Sequence, residues 1–523
     1  MSTCHKNPTT LLLILILTQI ILATAPAQAQ PPKQLSITVI CFEFPDISRS
    51  ESISTIRSTA IDQVNEFYQQ VSYGQFSVTG QIYGWYMMSA PLSKWDITGW
   101  NSPSDDRWGV VQVALSVAES NGVKRGAYTF LVFAYYSSGS PQWGFAYADL
   151  KLSVQSSNSA WQIYAHELGH LTGLPDLYDL AQLRKGRSDT FVGPWDLMSS
   201  GSTMCVWSKI RLGWIQKSQI TKLELGSSVT ISPLELGKGI LAARIEYSYS
   251  VTRYYLVEVR LGCGVLITEI DETKANGEGT VKVIDAHPES LYDLSDACFD
   301  LISEIPDSLF RGKHISAYIN PYRTMAIILL SKNGENYKIT LGTDDMGKKA
   351  LDAYKNVETA KSSIKKAESE IRVEGLDQAK ATLDKAISQY QEMKFTDCSL
   401  LAQNAKIRAD FATIPKSYYQ AKEMIETTDN RLKTLLARKL ESSDATAKRD
   451  EAVAAMNKSR DAFKSLQFES TLADLKYCDW LISEAERVEQ DFQIRKWAMI
   501  TAIALAVIGL TLLLAKRRAK NHQ

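Results

Sequence analysis

The nineteen residues from Trp497 to Ala515 carry no charged side chain, and that run leaves the chain little choice of structure. As a helix it is about 28 Å long, matching the hydrocarbon core of a bilayer, where every backbone amide must be satisfied within the segment. Lys516, Arg517, Arg518 and Lys520 follow at once and outweigh Arg495 and Lys496 on the other flank. The positive-inside rule then places residues 516–523 in the cytoplasm and everything before the helix outside. The other end fits the same topology. His5 and Lys6 precede an apolar run from Leu11 to Ala23, and Ala27-Gln28-Ala29 offers a small-x-small cleavage site, so residues 1–29 are expected to be a signal peptide. The expectation is a single-pass protein of the cell membrane, its bulk extracytoplasmic and its C-terminus cytoplasmic.

Charge excludes more than it identifies. With 58 basic and 58 acidic residues, nothing suggests a nucleic-acid partner or an acidic substrate. Of the seven cysteines, Cys4 leaves with the signal, and Cys41, Cys205, Cys263, Cys298, Cys398 and Cys478 form no CxxC pair. A structural zinc knuckle or thioredoxin-like motif is therefore not expected, while disulfides are, with connectivity open.

Three textures follow the signal. Residues 35–220 are mixed: Leu35 to Phe42 reads as a buried strand, Ile53 to Val71 as an amphipathic helix, and Phe76 to Gly80 as another strand. Residues 221–342 hold short β-branched runs at Val229–Ile231, Tyr254–Val259 and Met325–Leu330, which predict a β-rich, mostly antiparallel module. Residues 343–489 turn to Ala, Lys, Glu, Asp and Leu, with apolar positions at alternating three- and four-residue spacing from Leu351 to Ile371 and from Leu376 to Met393. That pattern predicts a coiled-coil-like bundle of α-helical hairpins. Tyr390–Asp397 resembles Phe463–Ser470, as in a weak internal repeat in which each helix ends on an aromatic and restarts at a capping Asp397 or Ser470. Two roles suit such helices, a solvated stalk or a partner-binding bundle.

The chemistry lies in Tyr164-Ala-His-Glu-Leu-Gly-His-Leu-Thr-Gly-Leu-Pro-Asp176. On a helix, His166 and His170 project from one face and can offer two imidazoles to one Zn²⁺, with Glu167 beside them as general base. Gly173 permits the left-handed turn that ends the helix, and Asp176 is placed to become the third metal ligand; Asp179 would overshoot. Downstream, Met198 sits in the small-residue turn Trp195-Asp-Leu-Met-Ser-Ser-Gly201, suited to form an apolar floor under the ligands as a Met-turn. Tyr164 and Tyr178 flank the motif and are candidates to stabilise an oxyanion, although tyrosines there commonly pack. His287 and His314 have no motif around them and read as structural or surface residues.

These motifs resemble the immune inhibitor A type of secreted zinc metallopeptidase. The resemblance covers about Leu35 to Ala297 and includes Phe42-Glu-Phe-Pro-Asp46, Val71–Gly80, the extended zinc motif with Leu174–Asp179, the Met-turn, and Tyr254–Arg260 and Gly264–Asp271 in the β module. It implies a zincin-like, α+β catalytic domain that cleaves peptide bonds of proteins, with His166, His170 and Asp176 on zinc and Glu167 as base. It also implies frequent structural Ca²⁺, for which Asp46, Asp179 and Asp196 are oxygen donors without a recognisable loop pattern. The alternative from another class is a surface adhesion or scaffold protein that keeps the peptidase fold; loss of a ligand or of the base would mark it, and none is lost.

Overall fold

The computed structural model describes residues 33–49, 51–95, 107–135, 142–183, 191–247, 249–288, 294–301 and 316–520. The expected signal peptide and His314 lie outside them. The described residues up to Leu351 form one compact unit and those from Asp352 a second.

The first unit is mixed α+β. Strand β1 (Lys33–Glu43) lies in the interior of its sheet: Leu35, Ile37, Val39 and Cys41 enter one apolar cluster, Ile40 and Phe42 the opposite one. Both faces are covered, which is why the strand reads as a nearly continuous hydrophobic run. It lies in a sheet ordered β2–β1–β3–β5–β4, with β2 (Phe76–Met87), β3 (Tyr128–Phe133) and β5 (Leu152–Ser156) parallel to it and β4 (Gly144–Tyr147) antiparallel to β5 at the edge. One face carries α1 (Ile53–Arg57), which runs through a π-turn (Ser58–Asp62) into α2 (Gln63–Val71), and beside it the motif helix that follows β5. The other face carries α3 (Arg107–Ser120) through Val110, Val111, Ala114 and Ala118.

Beyond the sheet, the same unit holds two more. The first is ordered β11–β10–β9–β8–β6, from β6 (Ile220–Lys222), β8 (Ala242–Tyr247), β9 (Ser250–Arg260), β10 (Gly264–Asp271) and β11 (Val281–Ile284). The second is ordered β12–β13–β14–β7, from β7 (Ser228–Ile231), β12 (Ala317–Ile319), β13 (Ala326–Asn333) and β14 (Asn336–Gly342). Pairing is antiparallel except between β6 and β8. Alternation along β9 explains its unbroken apolar run. Tyr255, Val257 and Val259 pack with Ile327, Leu329 and Ile339 of the other sheet, while Tyr254 and Leu256 join the core beneath β1. A disulfide joins Cys263 to Cys298.

The second unit is helical, continuing from α7 (Asp344–Ser369) through α8 (Leu376–Gln391), α9 (Phe395–Asp410), α10 (Lys416–Ala437), α11 (Ser443–Lys464) and α12 (Phe468–Lys520). The repeat resemblance has a geometric counterpart. Tyr390 and Phe395 rings meet at 5.2 Å and 65°, Phe463 and Phe468 at 5.6 Å and 63°. The expected caps need correction: the helices restart at Phe395 and Phe468, ahead of Asp397 and Ser470. Met393 and Leu466 adopt left-handed backbones (φ 63° and 59°). Their turns close with matching bonds, Lys394 N–H to Gln389 O and Gln467 N–H to Ala462 O, both at 2.9 Å, which completes the chain reversal before each aromatic. Helix α12 runs 53 residues without a break. Its C-terminal part is long and apolar enough to cross a membrane, and Trp497, Leu505 and Leu512 on it are exposed.

Candidate active site

The motif helix, α4 (Trp161–Thr172), buries Tyr164, Leu168 and Leu171 in the core under β1. That leaves His166 and His170 on its partly open face. The helix stops at Gly173, whose φ of +104° puts it in the left-handed region, and the Leu174 N–H returns to Gly169 O at 3.0 Å. A side chain is disfavoured in that conformation, so glycine permits the sharp reversal. Asp176 then comes back beneath the two histidines.

His166 Nε2 and His170 Nε2 each lie 3.2 Å from the same oxygen, Asp176 Oδ1. The other ring nitrogens face carbonyls: His166 Nδ1 is 3.0 Å from Leu197 O and His170 Nδ1 is 2.9 Å from Leu174 O. A carbonyl only accepts, so each Nδ1 carries a proton, and Nε2 is the nitrogen that each ring turns to the common point. Burial opposes a charge on His170, but Asp176 and Glu167 outweigh it and raise its pKa to about 9. Burial likewise works against ionising Asp176, and the two imidazoles overcome it, holding that carboxyl well below its usual range. Glu167 is 5% exposed, its acidity weakened by burial, and its Oε2 has no hydrogen-bond partner among the described residues.

Met198 lies under this arrangement and is fully buried. An added methyl at Gly169 would overlap its Sδ, so the residue between the histidines is small because the methionine occupies the space. Asp196 holds the turn, accepting from Met198 N at 2.8 Å and Cys205 N at 2.9 Å. Asp46 similarly accepts from Leu92 N at 2.6 Å, and Asp179 from Gln182 N at 3.0 Å at the start of α5 (Leu180–Leu183). All three aspartates weighed as calcium donors thus anchor backbone turns. Tyr164 is buried against Phe130, away from solvent. Tyr178 instead borders the cleft, its ring stacked on His166 at 6.2 Å and 21°.

The donors open on a cavity of about 450 Å³ bordered by Arg107, Arg211 and Asn276, with a second of about 370 Å³ bordered by Trp143, Ser199 and Ser202. Gly144, His166 and Glu167 line both, so the cleft extends to either side of the motif. Gly144 on edge strand β4 approaches so closely that a Cβ there would sit 2.8 Å from Glu167 Oε1. Sequence reasoning missed Arg107, Arg211 and Asn276, which come from other elements and belong to no motif. It also missed a second donor group: Asp285, His287 and Asp296 bring ligand atoms within 4.8 Å of one another, with His287 Nδ1 at 2.5 Å from Asp296 O.

The site lies in the mixed α+β unit, and a family-model match within that unit indicates a peptidase domain. Residues 139–224 match the family model described as the immune inhibitor A peptidase M6 catalytic domain, which supports a peptidase of immune inhibitor A type. Comparison with curated proteins gives no match. Among solved structures, one described as a chaperone–substrate complex is 13% identical over 32% of this chain and 27% of its own, with a TM-score of 0.19. This chain therefore spans just over a quarter of that one. Wild-type OgpA from Akkermansia muciniphila, in two crystal forms, is 12% and 11% identical over 50% of this chain and 94% and 95% of its own, with TM-scores of 0.23. At these scores none of the structural likenesses bears on fold or function.

Proposed function

We propose that the chain is a zinc metalloendopeptidase, anchored by residues 497–515 with its catalytic region outside the cytoplasm, that cleaves peptide bonds of proteins. In this reading 35–220 is the zincin-like domain, 221–342 a β-rich module that packs on it, and 343–489 a helical stalk. The supporting observation is the convergence of His166 Nε2 and His170 Nε2 on Asp176 Oδ1 at 3.2 Å each. Zinc–nitrogen and zinc–oxygen bonds near 2.0–2.1 Å in a tetrahedron separate ligand atoms by about 3.3 Å. Two imidazoles and one carboxylate are a donor set that would hold a catalytic zinc, and Glu167 Oε2, without a hydrogen-bond partner among the described residues, would serve as base to a water activated there.

Bound zinc supplies Lewis-acid polarisation and brings the pKa of a water to about 7. The chain's own residues do the rest. Among the described residues strand β4 is the edge of its sheet, beside Glu167, so an extended substrate can align there by main-chain hydrogen bonds. Glu167 takes the proton of the attacking water and delivers it to the leaving amine. Burial and the nearby Asp176 keep the Tyr178 phenol protonated, as a donor to the oxyanion must be. Zinc analysis of the purified protein with mapping of cleaved peptide ends tests this. Glu167→Ala should keep one equivalent of zinc and lose at least ~10²-fold in turnover; near-normal cleavage by that variant removes the mechanism.

A further inference from the structure

We propose that Asn276, on the hairpin between β10 and β11, is a positioning residue that holds Asp176 as a ligand through one oxygen and so sets the metal affinity of the site. The inference rests on the zinc reading above and adds a partner from a different sheet, 100 residues along the chain.

A carboxylate ligand has two oxygens and a rotatable stem. Asp176 Oδ1 is the one both imidazoles face, and in a site where Asp176 is 7% exposed Oδ2 needs a fixed donor or it competes for the same position. Asn276 Nδ2 donates to that Oδ2 at 2.7 Å. The same carboxamide accepts from Asp176 N through its Oδ1 at 2.5 Å. The amide is thus bonded to both the main chain and the side chain of one residue. Its orientation is fixed by those partners, because the N–H requires an acceptor and the carboxylate a donor. Aspartate at 276 would set a carboxylate against a carboxylate, and alanine would leave Oδ2 and the Asp176 N–H without either bond.

The support is itself held. Gly277 N–H reaches Asp176 O at 3.3 Å, and Leu180 N–H reaches Gly277 O at 3.1 Å. Gly277 has φ +69°, and a Cβ there would lie 2.5 Å from Leu180 Cβ, so only glycine lets the hairpin approach this closely. Behind it, Thr273 N donates to Asp271 Oδ1 at 3.1 Å and Ala275 N to Glu278 Oε2 at 3.2 Å, stiffening the loop that presents the amide. An outer partner on a rigid loop is what a ligand with two equivalent oxygens requires.

The test uses the full chain in detergent and measures the Zn²⁺ dissociation constant by chelator competition, with circular dichroism and metal-free thermal unfolding as controls. Asn276→Ala and the isosteric Asn276→Asp should each bind Zn²⁺ ~10- to 100-fold more weakly than wild type. Thr273→Ala, which removes a hydroxyl on the same hairpin but keeps the main-chain bond from Thr273 N to Asp271 that stiffens it, should bind as wild type does. If either folded Asn276 variant keeps wild-type affinity, or shows only a lower metal-free stability, the positioning role is refuted; should Asn276→Ala not fold, Asn276→Asp decides alone. Failure of the wild-type protein to bind Zn²⁺ overturns the underlying zinc reading instead, so the two failures are distinguishable.

Discussion

Substituting Gly169 by alanine is expected to weaken the motif helix, against the ordinary direction of that change. In an exposed helix interior, alanine in place of glycine gains up to ~1 kcal/mol. Here the new methyl would overlap Met198 Sδ and lie 3.3 Å from its Cε and 3.6 Å from Tyr68 Oη. Met198 and Tyr68 are both fully buried, so the methionine can move only by disturbing its own packing. Overpacking of this kind costs ~1–3 kcal/mol, which leaves a net loss of up to ~2 kcal/mol. Met198→Ala alone should cost ~2–5 kcal/mol through the cavity it leaves. In the double variant the methyl at 169 enters that cavity, so the two losses should fall short of additive by ~1–3 kcal/mol. Because the chain has two compact units, global melting is not two-state, and hydrogen exchange of the α4 amides is the appropriate assay. Slower exchange in Gly169→Ala than in wild type, or strict additivity with Met198→Ala, would refute the claim that the methionine sets the size of residue 169.

Two further predictions concern charge. Asp176→Ala should lower zinc affinity sharply and abolish hydrolysis, whereas Asp179→Ala, which loses a bond to Gln182 N, should leave zinc bound; equilibrium dialysis with the reverse result would sink the ligand assignment. Lys209 is 3% exposed, and burial first, then Arg260, depresses its pKa from 10.5 to about 8. Below pH 8 it is charged both folded and unfolded and the cost of the buried charge is fully present; between 8 and 10.5 the unfolded chain binds more protons, so stability must rise with pH. Relative to Lys209→Met, wild type should gain up to about 3 kcal/mol across that window, and a flat or falling difference in denaturation experiments would contradict it.

What was legible in the chain was local. His166, Glu167, His170 and Asp176 fall within eleven residues, so helical spacing and one glycine turn suffice to bring them together. Met198 could be read because small residues surround it. Asn276 could not: Asn-Gly is a turn signal whatever faces it, and only the register of β10 against β9 and β11 aims that turn at Asp176. Asp196 was open to a calcium reading because a carboxylate that serves two backbone amides looks no different in sequence from one that serves a cation. The helix starts at Phe395 and Phe468 were misplaced for a related reason. Nothing in Met393 or Leu466 advertises a left-handed backbone, which glycine or asparagine would have signalled. Asp285, His287 and Asp296 come together with no motif spacing in the sequence.

The floor of the site depends on the β sheet as much as on the motif helix. Glu258 and Arg260 on β9 are 1% and 4% exposed and pair at 2.9 Å. Burial raises the Glu258 pKa, and Arg260 works against that rise. Neither group is there to stabilise by pairing alone, since a buried ion pair rarely exceeds a well-packed apolar replacement. Their remaining valences explain them better. Glu258 accepts from Val206 N at 2.7 Å, while Arg260 donates to Met204 O at 3.2 Å and to Thr203 Oγ1 at 2.7 Å. Thr203 and Met204 lie between the Met-turn and helix α6 (Val206–Arg211), and Val206 is the first residue of that helix. The segment has little regular structure with which to satisfy its own backbone, so the charges on β9 take over that task. With Asn276 on the next hairpin, the same sheet thus reaches the donor set from two directions, beneath through Met198 and from the side through Asp176. An excised catalytic segment ending near residue 220 would lose both supports, keeping every motif residue and lacking the groups that hold them in place.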